Sequence, residues 1–149
     1  MSGSKRDAIV LEMRSLDKTM DPPARFLSQP DWSCVLMAIR DVFEKDGFVY
    51  LKVLAPRESF VKEISMKAVD GRYRVVALTR SGDPKMAVLE WRQESDFALM
   101  KQVRFGGDEW DARTICSDIS VAERIFKEVY DFGGIMEGLS CMKSQWDLS

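Results

Sequence analysis

Residues 60–80 read FVKEISMKAVDGRYRVVALTR, and the fold turns on them. Apolar and polar side chains alternate on both sides of Asp70-Gly71, a dipeptide that favours the two-residue type I′ turn of a β-hairpin. The outward faces of its arms carry Lys62, Glu63, Lys67, Arg72, Arg74 and Arg80. Working outward, residues 48–55 are nearly continuous in apolar side chains apart from Lys52, which predicts a central strand covered on both sides and ended by Pro56. Downstream, Ser81-Gly82-Asp83-Pro84 marks a turn, after which Ala87, Leu89 and Trp91 alternate with Val88, Glu90 and Arg92. Residues 100–105 and 110–116 predict another strand pair around Gly106-Gly107-Asp108-Glu109, read as an exposed loop. Upstream, Ile9, Leu11 and Met13 share one side of a half-buried strand over 8–13.

Two segments change to helical spacing. Trp32, Val35, Leu36, Ile39, Val42 and Phe43 predict a helix that starts near Pro30, with Ser28 as N-cap and Asp31 three residues on, and stops at Gly47. Between strand and helix, residues 15–29 lack a period, and Pro22 and Pro23 favour an extended connection pinned by Phe26 and Leu27. The second helix begins near Asp118 or Ser120, where Ser120 and Glu123 have capping-box spacing. It runs through Val121, Ala122, Ile125, Phe126, Val129 and Tyr130 to Gly133-Gly134. The tail, with Ile135, Met136, Leu139, Met142 and Trp146, receives no assignment. The expectation is a single α+β domain over residues 1–149. It has a mostly antiparallel twisted sheet of six to seven strands and two amphipathic helices, about 30–46 and 119–132.

Composition removes several kinds of chemistry. The 149 residues include no histidine, which excludes Ser-His-Asp and Cys-His nucleophile systems, His-based metal sites and histidine acid/base catalysis. A net charge of −2 gives no strong basic field for a nucleic acid backbone. The charge is uneven, however: residues 57–104 carry 10 basic and 7 acidic side chains and residues 105–149 carry 4 and 9, so the last third reads first as a well-solvated surface and would also suit a basic protein partner. Cys34, Cys116 and Cys141 lie far apart, without metal or redox spacing, and fit a reducing cytoplasm. The polar start lacks the apolar run of a secretory signal, and no stretch approaches the roughly 20 apolar residues of a membrane span. A soluble cytoplasmic protein without nucleic acid or membrane partners is expected.

Little else in the chain carries chemistry. Gly106-Gly107 lies between strands and Gly133-Gly134 follows a helix, so neither reads as a phosphate loop. Asp108, Glu109, Asp111 and Asp118 are the one dense acidic group. In an exposed loop they would titrate normally and lack a closed site, and their spacing matches no calcium loop. They read better as a recognition surface in which Trp110 is an anchor amid Asp108, Glu109 and Asp111. The alternative is that Trp110 points into the domain's own core. Arg72, Arg74, Arg80, Arg92 and Arg104 with Tyr73 form a possible basic sheet face, but interspersed acids favour a merely solvated one. The scattered methionines read as core filling.

Residues 105–130, FGGDEWDARTICSDISVAERIFKEVY, resemble the C-terminal half of small bacterial immunity proteins of polymorphic toxin and contact-dependent growth inhibition systems. There, a late strand, an Asp-containing turn and a final amphipathic helix with a Phe-x-x-(Phe/Tyr) step form a recurring finish. Pro30-Asp31-Trp32 and residues 48–54 add weaker similarity. The resemblance implies a non-enzyme that binds a cognate toxin domain and blocks its active site, as a monomer or weak homodimer. No catalytic residue, cofactor or metal ligand is assigned, and the partner-binding residues are Asp108, Glu109, Trp110 and Asp111. A secretion chaperone that binds an effector segment is the alternative, and an enzyme would need a closed pocket.

Overall fold

The structure, a computed structural model, describes residues 9–17, 24–92, 102–133 and 142–144. Pro22, Pro23, Gly134, Ile135, Met136, Leu139, Cys141 and Trp146 lie outside them, as do residues 100 and 101 of the predicted strand pair. The elements run β1 (Val10–Asp17), β2 (Ala24–Ser28), α1 (Trp32–Lys45), β3 (Gly47–Ala55), β4 (Val61–Val69), β5 (Arg72–Thr79), β6 (Val88–Trp91), β7 (Gln102–Phe105), β8 (Asp108–Asp111), α2 (Ile119–Phe132) and β9 (Met142–Ser144). Among the described residues, seven strands form one antiparallel sheet in the order β2-β1-β3-β4-β5-β6-β9, and β7 and β8 form a separate hairpin. This is the α+β architecture expected from the sequence.

The central hairpin forms as read. Asp70 and Gly71 both have positive φ, 54° and 75°, the type I′ signature, and the register pairs Val69 with Arg72 and Met66 with Val75. Alternation then sorts side chains onto two faces. Leu11, Met13, Val49, Leu51, Val53, Ile64, Met66, Tyr73, Val75 and Leu89 pack inward with Val35, Ile39 and Val42 of α1 and Ile125, Phe126 and Val129 of α2. Burying a side chain of this size contributes about 1.5–3 kcal/mol, so the helix-covered face holds most of the apolar stabilisation.

Both helices therefore cover the same face of the sheet, which corrects the reading of residues 48–55. Val49, Leu51 and Val53 are buried, whereas Phe48, Tyr50 and Lys52 are half-buried and Leu54 is exposed. The apolar run is continuous because aromatic side chains line the open face, where Phe48 stacks on Tyr50 at 6.3 Å and Arg14 lies over Phe26 and Tyr50. The connection predicted over 15–29 contains a strand instead. β2 pairs with β1 from Ser28 opposite Glu12 to Ala24 opposite Leu16, which places Phe26 beside Arg14 on the open face and Leu27 beside Met13 on the core face.

The helix starts also differ in their chemistry. Asp31, not Ser28, caps α1, its carboxylate accepting from Cys34 N–H at 3.0 Å and from Ser33 Oγ at 2.9 Å. Asp118 caps α2 by accepting from Ser120 N–H at 3.0 Å. Glu123 does not close a capping box but pairs with Arg40 of α1 at 2.8 Å, which ties the helices together. Gly133 ends α2 in the left-handed region, and its N–H donates to Val129 O.

Candidate functional site

Asp108 and Glu109, expected in an exposed loop, lie in a strand with Trp110 and Asp111. Gly106 and Gly107 both have positive φ and make the whole turn, so Asp108, Glu109, Trp110 and Asp111 become β8, opposite Phe105, Arg104, Val103 and Gln102. The predicted second arm, 110–116, instead contains a short 3-10 turn at Ala112–Thr114 and an isolated bridge from Cys116 to Tyr73. Asp108 and Glu109 are exposed, and Trp110 and Asp111 are half-buried.

Trp110 neither enters the core nor stands free. Its ring lies over the Arg74 guanidinium, 3.5 Å from Cζ to the ring centroid, a contact that clamps the hairpin onto the open face of β5. Arg74 donates to Glu90 Oε2 at 2.6 Å, and Glu90 Oε1 lies 3.6 Å from Arg92. A second tie joins the Arg72 guanidinium to Arg104 O at 3.4 Å. Asp111 is committed to the 3-10 turn that follows the hairpin. Its carboxylate accepts from Arg113 Nη2 at 2.7 Å, from Arg113 Nε at 3.2 Å and from the Arg113 backbone N–H at 2.9 Å. The Arg113 side chain holds this carboxyl below the usual aspartate range, and Arg92 adds to the effect.

The four residues are thus contiguous but unequal. Asp108 and Glu109 are available to a partner, while Trp110 and Asp111 fix the strand that presents them. Asp118 is separate, spent on the α2 cap, and the described residues contain no group of three or more Cys, Asp or Glu placed to hold a metal ion. The basic sheet face also divides. Tyr73 lies on the opposite, core side, its hydroxyl donating to Asp118 O at 2.6 Å and accepting from Ala122 N–H at 3.0 Å, and burial pushes its phenol pKa upward. Arg74 serves the hairpin, whereas Arg80 turns to a different cleft. Sequence reasoning missed Arg74, Glu90, Arg92 and Arg113 as supports of Trp110 and Asp111. Arg113 alone had a local signal, an Asp two residues before it that suits an Asx turn.

The described residues also line two open clefts. One, of about 290 Å³, is lined by Trp91, Ile115, Cys116, Ser117, Asp118 and Val121. The other, of about 370 Å³, is lined by Lys52, Val53, Leu54, Arg57, Lys62 and Arg80. Among the described residues, no helix is long and apolar enough to cross a membrane.

Residues 12–139 match DUF6911, described as a family of unknown function. The chain belongs to the DUF6911 family. No curated protein matches it. The fold of this DUF6911 chain is similar to that in the crystal structure of a hypothetical protein from Neisseria gonorrhoeae. The TM-score is 0.62 over 92% of this chain and 97% of that one, at 12% identity. At that identity the likeness establishes a shared fold, so the function of this DUF6911 member rests on its own surface.

Proposed function

We propose that this domain is a bacterial immunity protein that works in the cytoplasm by binding a cognate toxin domain and blocking its active site. The observation that carries the reading is the β7–β8 hairpin, which presents Asp108 and Glu109 to solvent on a strand anchored by Trp110 on Arg74. Exposed acids on a fixed strand suit a basic partner, because the entropy of ordering the strand is spent in folding rather than in binding. The resemblance of residues 105–130 to immunity proteins supplies the class of partner, and a basic nuclease-like toxin supplies the complementary charge.

The test is charge reversal at the two exposed acids, Asp108→Lys with Glu109→Lys, sparing Asp111 because its salt bridge to Arg113 holds the turn that follows the hairpin. Association with the product of the neighbouring gene is measured by surface plasmon resonance, alongside protection of growth on co-expression. Reversal is expected to slow association by about tenfold or more at low salt and to leave a smaller difference at high salt. Unchanged association would remove the hairpin from the interface. An adjacent product that binds as an extended, non-toxic effector segment would replace this reading with a secretion chaperone.

A further inference from the structure

The basic cleft at the other end of the open face is a separate feature. It lies where β3 ends, the 56–60 turn passes and β4 begins. Lys52 and Leu54 point outward from β3, Arg57 stands on the turn, Lys62 occupies the bulge at the start of β4, and Arg80 follows β5. Its lining thus holds four cations and no carboxylate. Glu63 sits opposite Lys52 in the strand register and Glu58 adjoins Arg57, but neither lines the cleft.

Arg80 gives the cleft a fixed floor. Its guanidinium donates through Nη2 to Val53 O at 2.6 Å, and through Nη1 to Val61 O at 3.1 Å, Ser59 O at 3.4 Å and Ser59 Oγ. All four acceptors are neutral, so the charge is held in place without being cancelled. Nε–H and one Nη2 hydrogen have no acceptor among the described residues, which leaves two donors of the planar fork for an oxyanion. Lys52, Arg57 and Lys62 form no ion pair among the described residues. Four like charges around one concavity raise each other's energy, and an anion is what relieves them. Exposed Leu54 provides an apolar edge beside that charge.

We infer that this cleft binds a phosphorylated small molecule of about mononucleotide size, its phosphates on Arg80, Arg57, Lys62 and Lys52 and its remaining body against Leu54. The cavity volume falls at the lower end of small-ligand sites, roughly 300–1,000 Å³. The excess of charge favours a di- or polyphosphate over a single carboxylate. The inference does not depend on the toxin-binding reading, because it uses none of the hairpin residues.

The test is calorimetric titration of the full chain with ADP and, separately, with inorganic pyrophosphate at low salt, repeated on the Arg57→Ala/Lys62→Ala double variant. Both substituted residues are exposed, so the variant should melt as the parent does. Saturable ADP binding that pyrophosphate competes away, and that the variant weakens by about tenfold or more, is the expected result. Tighter binding of ADP than of pyrophosphate supports the site with its Leu54 edge, whereas pyrophosphate matching ADP would overturn the contact with Leu54 and the mononucleotide size. No saturation up to about 5 mM ADP, or equal affinity in the variant, overturns it.

Discussion

Replacing Tyr73 with Phe removes a single oxygen from the place where the sheet meets α2. The hydroxyl is inserted into the first helical hydrogen bond, accepting from Ala122 N–H at 3.0 Å and donating to Asp118 O at 2.6 Å. The ring would stay, packed edge-on against Phe43 at 6.0 Å, so no large cavity forms. Asp118 O also keeps Val121 N–H at 3.2 Å, and the group left without a partner is therefore Ala122 N–H, on a fully buried residue. Two ordinary hydrogen bonds contribute about 1–3 kcal/mol net, and an orphaned buried donor costs about the same. Because Ala122 N–H and Asp118 O stand in the i, i−4 relation, partial closure of the gap recovers some of that, which sets the expected loss near 2 kcal/mol. For a chain of this size the melting temperature should fall by roughly 4–8 °C. Urea unfolding followed by circular dichroism should show the same loss as a lower midpoint with an unchanged slope, and the Ala122 amide should exchange faster. A loss below about 0.5 kcal/mol would refute the idea that this hydroxyl joins α2 to the sheet.

Two other substitutions probe backbone and charge. Gly47→Ala should abolish the soluble fold or cost well over about 3 kcal/mol, because a Cβ there would lie 1.9 Å from Leu16 O on backbone at φ +150°, which thermal melting of any soluble product would read. Acid unfolding should be shallower in Asp111→Asn. The Arg113 side chain depresses the native Asp111 pKa below 3.8, so its stabilisation is complete above the unfolded value and is lost as pH falls through the depressed native one. Asp31 and Asp118, lowered by their cap hydrogen bonds, act in the same direction and keep some acid sensitivity in the variant, as a fluorescence-detected pH titration would show.

The sequence made most of the core legible because burial writes itself as period. Alternation around Asp70-Gly71 identified β4 and β5, and helical spacing located α1 and α2 within two residues of their observed ends. What stayed hidden depends on neighbours distant in sequence. β2 has a single strand beside it and sets Phe26 on the open face, so no alternation marks it. Residues 48–55 look two-sided because aromatic and aliphatic side chains line a partly solvated face. Asp108–Asp111 have the composition of a loop, and strand propensity weighs against them. They form a strand because Gly106-Gly107 closes a tight turn and Arg74, 36 residues away, receives the Trp110 ring. Asp31 takes the cap from Ser28 because Ser28 is already paired opposite Glu12.

The two candidate sites share one strand but not one charge. Arg74, beneath the acidic hairpin, and Arg80, in the cationic cleft, point from the same side of the β5 ladder six positions apart, or about 20 Å at the rise of a strand. A basic partner, if it lands on the exposed acids Asp108 and Glu109, would be repelled on sliding toward Lys52, Arg57 and Lys62, so the two groups of exposed charge would orient it. Neither end is built from core residues: the hairpin is held by a ring on a guanidinium and the cleft by an arginine on carbonyl oxygens. Changes at the exposed charges should therefore alter binding while leaving stability nearly untouched, and changes at Arg74 or Arg80 should alter both. That asymmetry would separate residues that meet a ligand or partner, as proposed, from residues that hold the surface in shape.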